Sequence, residues 1–149
     1  MPTSRTEAQA GFTLLELLAV LVIMALSATA VMSIGRASLE SARARSFIVD
    51  AEALFRDART QAIESHSQTA VIIDIKRRRL SLEGGRSLEM PQGLSLDAKV
   101  AVPKNGGLPA VRFFPSGSSS GGELAFGFRG RSYGLHINWL TGRADVQAL

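Results

Sequence analysis

The sequence predicts an α+β chain: one long amino-terminal helix, apolar in its first half and amphipathic in its second, packed on a carboxy-terminal antiparallel β-sheet. Three observations predict it. Leu17 to Gly35 carries no charged residue. Phe47, Ile48, Ala51, Leu54, Phe55, Ala58, Ala62 and Ile63 recur at three- and four-residue spacing, the period of one helix face. After His66 the pattern changes to short β-branched and aromatic runs punctuated by Gly, Pro and Ser, which is how strands and turns read.

The first element is a leader. Residues 1–11 hold only two side-chain charges, Arg5 and Glu7, and are too few to fold as a domain. From Phe12 to Gly35 a helix rising 1.5 Å per residue is long enough to cross a hydrocarbon core about 30 Å thick, so residues 12–35 are read as a transmembrane segment. Glu16 is the oddity within it. A carboxylate inside such a segment costs about 2.5–3.5 kcal/mol, which predicts a specific cationic partner. Two plainer readings compete. Glu16 lies near the helix end and can snorkel to the headgroups with no further role. Alternatively the run is an ordinary secretory signal, with Ala28-Thr29-Ala30 as a cleavage site that would release a soluble protein starting at Val31. Glu16 inside the apolar run and the weak positive charge ahead of it count against the second. Arg5 precedes the segment, while Arg36, Arg43 and Arg45 follow it; the positive-inside rule taken alone therefore sets the amino terminus outside.

Residues 36–149 are read as one exported domain, an amphipathic helix over about 36–66 followed by sheet over about 67–149. The helix is continuous with the spanning segment, from Phe12 to about Ser65, and its stripe of Phe47, Leu54 and Phe55 needs a cover. Thr69 to Ile75 is the first strand, Lys76 to Arg79 a basic turn, and Leu80 to Glu83, Gly84-Gly85 and Arg86 to Met90 a hairpin. Further strands are expected at Leu94 to Val102, Ala110 to Phe114, Glu123 to Phe128, Tyr133 to Leu140 and Ala144 to Val146. The chain length suits one core and not two.

Composition narrows the chemistry. The 149 residues carry a net charge of +4 and no cysteine, which excludes a disulfide framework, a thiolate nucleophile and cysteine-ligated zinc. Gly117 to Gly122 lacks the Gly-Lys-Ser/Thr ending of a phosphate-binding loop. No Gly-x-Ser-x-Gly elbow occurs, and no metal-ligand spacing links His66 with His136. No catalytic residue, metal or cofactor is expected.

Gly11-Phe12-Thr13-Leu14-Leu15-Glu16 followed by the apolar run resembles the class III signal of type IV pilins and type II secretion pseudopilins. The resemblance implies that a membrane prepilin peptidase cuts between Gly11 and Phe12 and methylates the new amine of Phe12. It implies that Glu16 serves assembly, its carboxylate facing the Phe12 amine of a neighbouring subunit. It also implies an amino terminus in the cytoplasm and a carboxy-terminal domain in the periplasm of the bacterial inner membrane, against the positive-inside count.

The carboxy-terminal half carries a second resemblance. Phe113-Phe114-Pro115-Ser116-Gly117-Ser118-Ser119-Ser120-Gly121-Gly122, a strand, and then Ile137-Asn138-Trp139-Leu140-Thr141-Gly142-Arg143 resemble the H-type minor pseudopilins of the type II secretion system. Lys76 to Gly107 matches nothing specific. The implied protein is a type IV pilin-like structural subunit near the tip of a pseudopilus that helps export folded proteins. Its implied partners are other minor and major pseudopilins, the prepilin peptidase, the secretion platform in the inner membrane and exported substrates. Both matched pieces also read as scaffold, an irregular loop and a tight turn. The functional reading has a mobile loop, with Ser116, Gly117, Ser118, Ser119 and Ser120, touch another subunit or a substrate. The alternative family is the FimT-like minor pilins of type IV pili, which resemble the first sixty residues and bind DNA during uptake. Lys76, Arg77, Arg78 and Arg79 would be its anion contact, but with no aromatic beside them for base stacking a nucleic-acid partner is not expected.

Overall fold

The computed structural model describes residues 13–102 and 107–148, with the side chains of residues 28–37 and 148 outside the described set. Gly11 and Phe12, the expected cleavage and methylation positions, also lie outside it. Two compact units emerge, Met1–Leu39 and Glu40–Leu149.

One helix, α1, runs Leu14–Glu64. Thr13 starts it: its Oγ1 accepts the Glu16 amide at 3.2 Å, the N-cap use of a short hydroxyl. In the first unit the described side chains Leu14, Leu15, Leu17, Leu18, Leu21, Ile23, Met24 and Leu26 are all exposed. An apolar surface of that extent marks a membrane or an interface. Among the described residues no helix is long and apolar enough to cross a membrane; the apolar run continues into residues 28–37, whose side chains are not described.

In the second unit α1 ends where Ser65 donates to the Gln61 carbonyl and His66 turns left-handed at φ 52°, a helix-terminating geometry. Eight strands follow: β1 Thr69–Asp74, β2 Arg79–Leu82, β3 Ser87–Glu89, β4 Ser95–Val100, β5 Ala110–Phe113, β6 Gly122–Phe128, β7 Arg131–Ile137 and β8 Ala144–Ala148. Every expected strand is present, most of them trimmed by a residue or more at an end. The expected single sheet is two four-stranded sheets, ordered β3-β2-β1-β5 and β4-β6-β7-β8, all described pairs antiparallel. The split arises because β5 returns to pair with β1 while β4, earlier in the chain, pairs with β6.

Alternation then sorts the side chains. Val71, Ile73, Leu80, Leu82, Val111 and Phe113 of the first sheet point inward, as do Leu124, Phe126, Leu135 and Ile137 of the second, the period-2 pattern of half-buried strands. Packed against both is the helix stripe, Ala44, Phe47, Ile48, Ala51, Leu54, Phe55, Ala58 and Ala62. Phe47 meets Phe126 edge-on, centroids 6.0 Å apart, and Phe55 meets Phe113 at 6.4 Å, so the two sheets share the cover that the stripe required. Ile63, expected in the stripe, is 37% exposed instead; it sits in the last turn of α1, beside the Gly117 loop.

Candidate functional site

Thr13-Leu14-Leu15-Glu16 matches the capping-box spacing, a hydroxyl at the N-cap and a carboxylate three residues on. Glu16 is exposed in the first turn of α1, at the positive end of the helix dipole. Its amide is satisfied by Thr13. The residue is thus on the surface, in the first turn of the helix.

The basic turn is more committed than its sequence suggests. Arg78, left-handed at φ 52°, donates from one Nη2 to the carbonyls of Pro91 at 2.6 Å and Leu94 at 2.8 Å, fixing the β3–β4 connection. Arg79 pairs with Glu89 at 3.3 Å across β2 and β3. The Arg77 amide donates to the Asp74 carboxylate at 2.9 Å. Lys76 is exposed on the same turn. The side chains of Arg78 and Arg79 therefore already serve the fold, while the Arg77 guanidinium stays 80% exposed, 3.9 Å from Asp74.

The Ser-Gly loop and the β7–β8 turn form one structure. Ser119 donates its amide to the Trp139 carbonyl at 2.8 Å and its hydroxyl to the Asn138 carbonyl at 3.0 Å. Ser120 exchanges two bonds with the backbone of Arg112, closing the outer edge of β5. Ser116 and Ser118 bond each other at 2.7 Å. In the turn, the Asn138 side chain accepts the amides of Leu140 and Thr141, and Asn138 and Gly142 close it through Arg143 and Asn138 carbonyls. Arg59 of α1 ties both pieces together, its Nε donating to the Gly117 carbonyl at 3.1 Å and the Thr141 carbonyl at 2.9 Å. A Cβ on Gly142, which sits at φ 64°, would collide with the Gly117 carbonyl oxygen. Only glycine satisfies both constraints.

Sequence reasoning missed Arg59, which reads as one more polar residue on the outer face of an amphipathic helix. It also missed the exposure of Trp139 and Leu140, at positions expected to end a strand. His136 lies on the outer face of the second sheet, directly between Glu123 and Asp145 in register, with Nδ1 at 3.8 Å from Glu123. His66 sits at the end of α1. No group of three or more potential metal ligands occurs among the described residues.

Residues 8–32 match the prokaryotic N-terminal methylation motif. The chain is 28% identical over 134 residues to type II secretion system protein H of Xanthomonas campestris, covering 89% of this chain and 79% of that protein. The minor pseudopilin EpsH of the Vibrio cholerae type 2 secretion system shares the fold at a TM-score of 0.58, with 18% identity over 71% of this chain and 97% of that one. The type IV minor pilin FimU of Pseudomonas aeruginosa does so at 0.53, with 15% identity over 74% of this chain and 90% of that one. The chain has an α+β, pilin-like fold and resembles the H-type minor pseudopilins in sequence.

Proposed function

We propose that this chain is a non-catalytic minor subunit of a type II secretion pseudopilus, anchored in the bacterial inner membrane by the first half of α1. The observation that carries the reading is the methylation motif at residues 8–32 placed at the start of a helix whose apolar side chains are exposed from Leu14 to Leu26. Similarity to a protein H over most of both chains supports the same role.

On this reading residues 1–11 are the leader, cut between Gly11 and Phe12, and the Phe12 amine is methylated. Residues 12–35 span the membrane, with the amino terminus cytoplasmic and residues 36–149 in the periplasm. Removing the leader leaves Thr13 as the second residue, so the helix starts almost at the chain end. The Glu16 carboxylate then meets the Phe12 amine of an adjacent subunit in low-dielectric surroundings, where opposite charges attract far more than in water. That pairing sets register between neighbours. The exposed leucines pack against other helices once the subunit leaves the lipid. Force comes from an ATPase elsewhere; the partners are other pseudopilins, the peptidase, the inner-membrane platform and exported substrates. In the FimT-like alternative the chain is a pilus minor pilin.

The experiment pairs Glu16→Ala with Glu16→Gln. A capping box accepts glutamine as well as glutamate, whereas an ion pair does not. Secretion and recovery of the subunit in sheared pseudopili fall in both variants while membrane insertion and leader cleavage continue; normal assembly in Glu16→Gln would reduce Glu16 to a cap. DNA retardation lost on neutralising Arg77 to Arg79 would move the chain to the pilus reading.

A further inference from the structure

The one tryptophan of the chain is 67% exposed, and Leu140 beside it is 63% exposed. An exposed large side chain on a loose loop is ordinary. Here the backbone beneath is locked. The Trp139 carbonyl accepts the Ser119 amide, the Leu140 and Thr141 amides are held by Asn138, and the Thr141 carbonyl is held by Arg59. Gly121 lies so close that a Cβ there would come within 3.1 Å of the Trp139 Cβ. A rigid backbone carrying a bulky two-torsion side chain loses little entropy when a partner covers it.

Exposed charges lie to one side of the turn. A cleft that Gly142 and Arg143 of this turn help to line also takes in Glu52, Arg56, Arg59 and Asp145. Arg143, 73% exposed, pairs with Asp145 at 3.6 Å, and Arg56, 67% exposed, with Glu52 at 2.8 Å. Pairs so open to water are weak and easily exchanged for a better one. Exposed Trp and Arg on a fixed frame are the residue types that dominate binding energy at protein interfaces.

We infer that the Trp139-Leu140 turn, with Arg143 and Arg56 at its side, is a docking surface for another subunit of the assembly, one presenting an apolar pocket for the indole and a carboxylate for the guanidinium groups. The inference rests on the assembly role proposed above and relocates its contact: the Ser116 to Ser120 loop braces, and the turn that it braces binds. A lipid surface fits less well, because Glu52 and Asp145 alternate with the arginines and would repel anionic headgroups, whereas a protein can set a cation against each of them. Two apolar side chains are also too small an anchor for a bilayer.

The test mixes the full chain, in detergent micelles, with each of the other full-length pseudopilins of the same bacterium. One of them binds; Trp139→Ala and Leu140→Ala each weaken it by about tenfold or more, Trp139→Phe stays near the parent, and Arg143→Gln lowers both affinity and its salt dependence. Ser116→Ala and Ser118→Ala leave it unchanged. Thermal unfolding of each variant matches the parent, as exposed positions require. Equal affinity for parent, Trp139→Ala and Leu140→Ala would overturn the inference and leave the assembly role standing. Absence of any binding pseudopilin would overturn both. A blue shift of Trp139 fluorescence on reconstitution into phospholipid vesicles without partners would assign the turn to lipid and overturn it too.

Discussion

Arg59 shows how one side chain can hold two distant motifs in register. Its two acceptors lie 58 and 82 residues away in the chain, and replacing it by Met keeps the stem while leaving both carbonyls short of a donor. Arg59→Met is expected to destabilise the second unit by about 1–3 kcal/mol, seen as a lower midpoint in urea with an unchanged slope. Gly142→Ala meets the left-handed penalty and the Gly117 carbonyl together, so a loss above about 2 kcal/mol is expected in the same titration. Arg78→Ala frees the carbonyls of Pro91 and Leu94 and is expected to cost about 1.5–3 kcal/mol; a neutral result would return Arg78 to the pool of free surface charge. The tight turn at Gly142 was legible in the sequence, but the carbonyls that Arg59 and Arg78 hold were not. A backbone carbonyl carries no residue identity, so an arginine that binds one looks like any solvated arginine.

The elements themselves were far more legible, because helix and strand periods are local. The stripe from Phe47 to Ala62 and the eight strands follow from spacing and turn residues alone. The β2–β3 hairpin could be read from Gly84-Gly85 between two short apolar runs. Partners beyond a hairpin could not: β1 with β5 and β4 with β6 depend on which faces need covering in space. That is why one sheet was expected and two formed. Of the candidate site, the amino-terminal signal was readable because its glycine, apolar run and glutamate are contiguous, while the joint between the Ser-Gly loop and the Trp139 turn required the fold. At this scale Phe55 is the diagnostic position. It is fully buried against Phe113, and Phe55→Ala is expected to cost about 3–5 kcal/mol, measured by chemical denaturation. A loss below about 1 kcal/mol would mean that the helix stripe does not pack as described.

In the whole molecule, the two units divide the labour. The first exposes leucine, valine and isoleucine and carries Glu16 in the first turn of α1; the second buries a helix stripe under two sheets and turns a braced tryptophan outward. On the function proposed above, the first is taken up by lipid and then by other helices. The account therefore rests on how the amino terminus is made. Amino-terminal sequencing and intact mass of the protein recovered from membranes test this most directly. The account predicts a chain beginning at Phe12 and carrying one added methyl group; a chain beginning at Val31, or one retaining residues 1–11 in the presence of active peptidase, would contradict it.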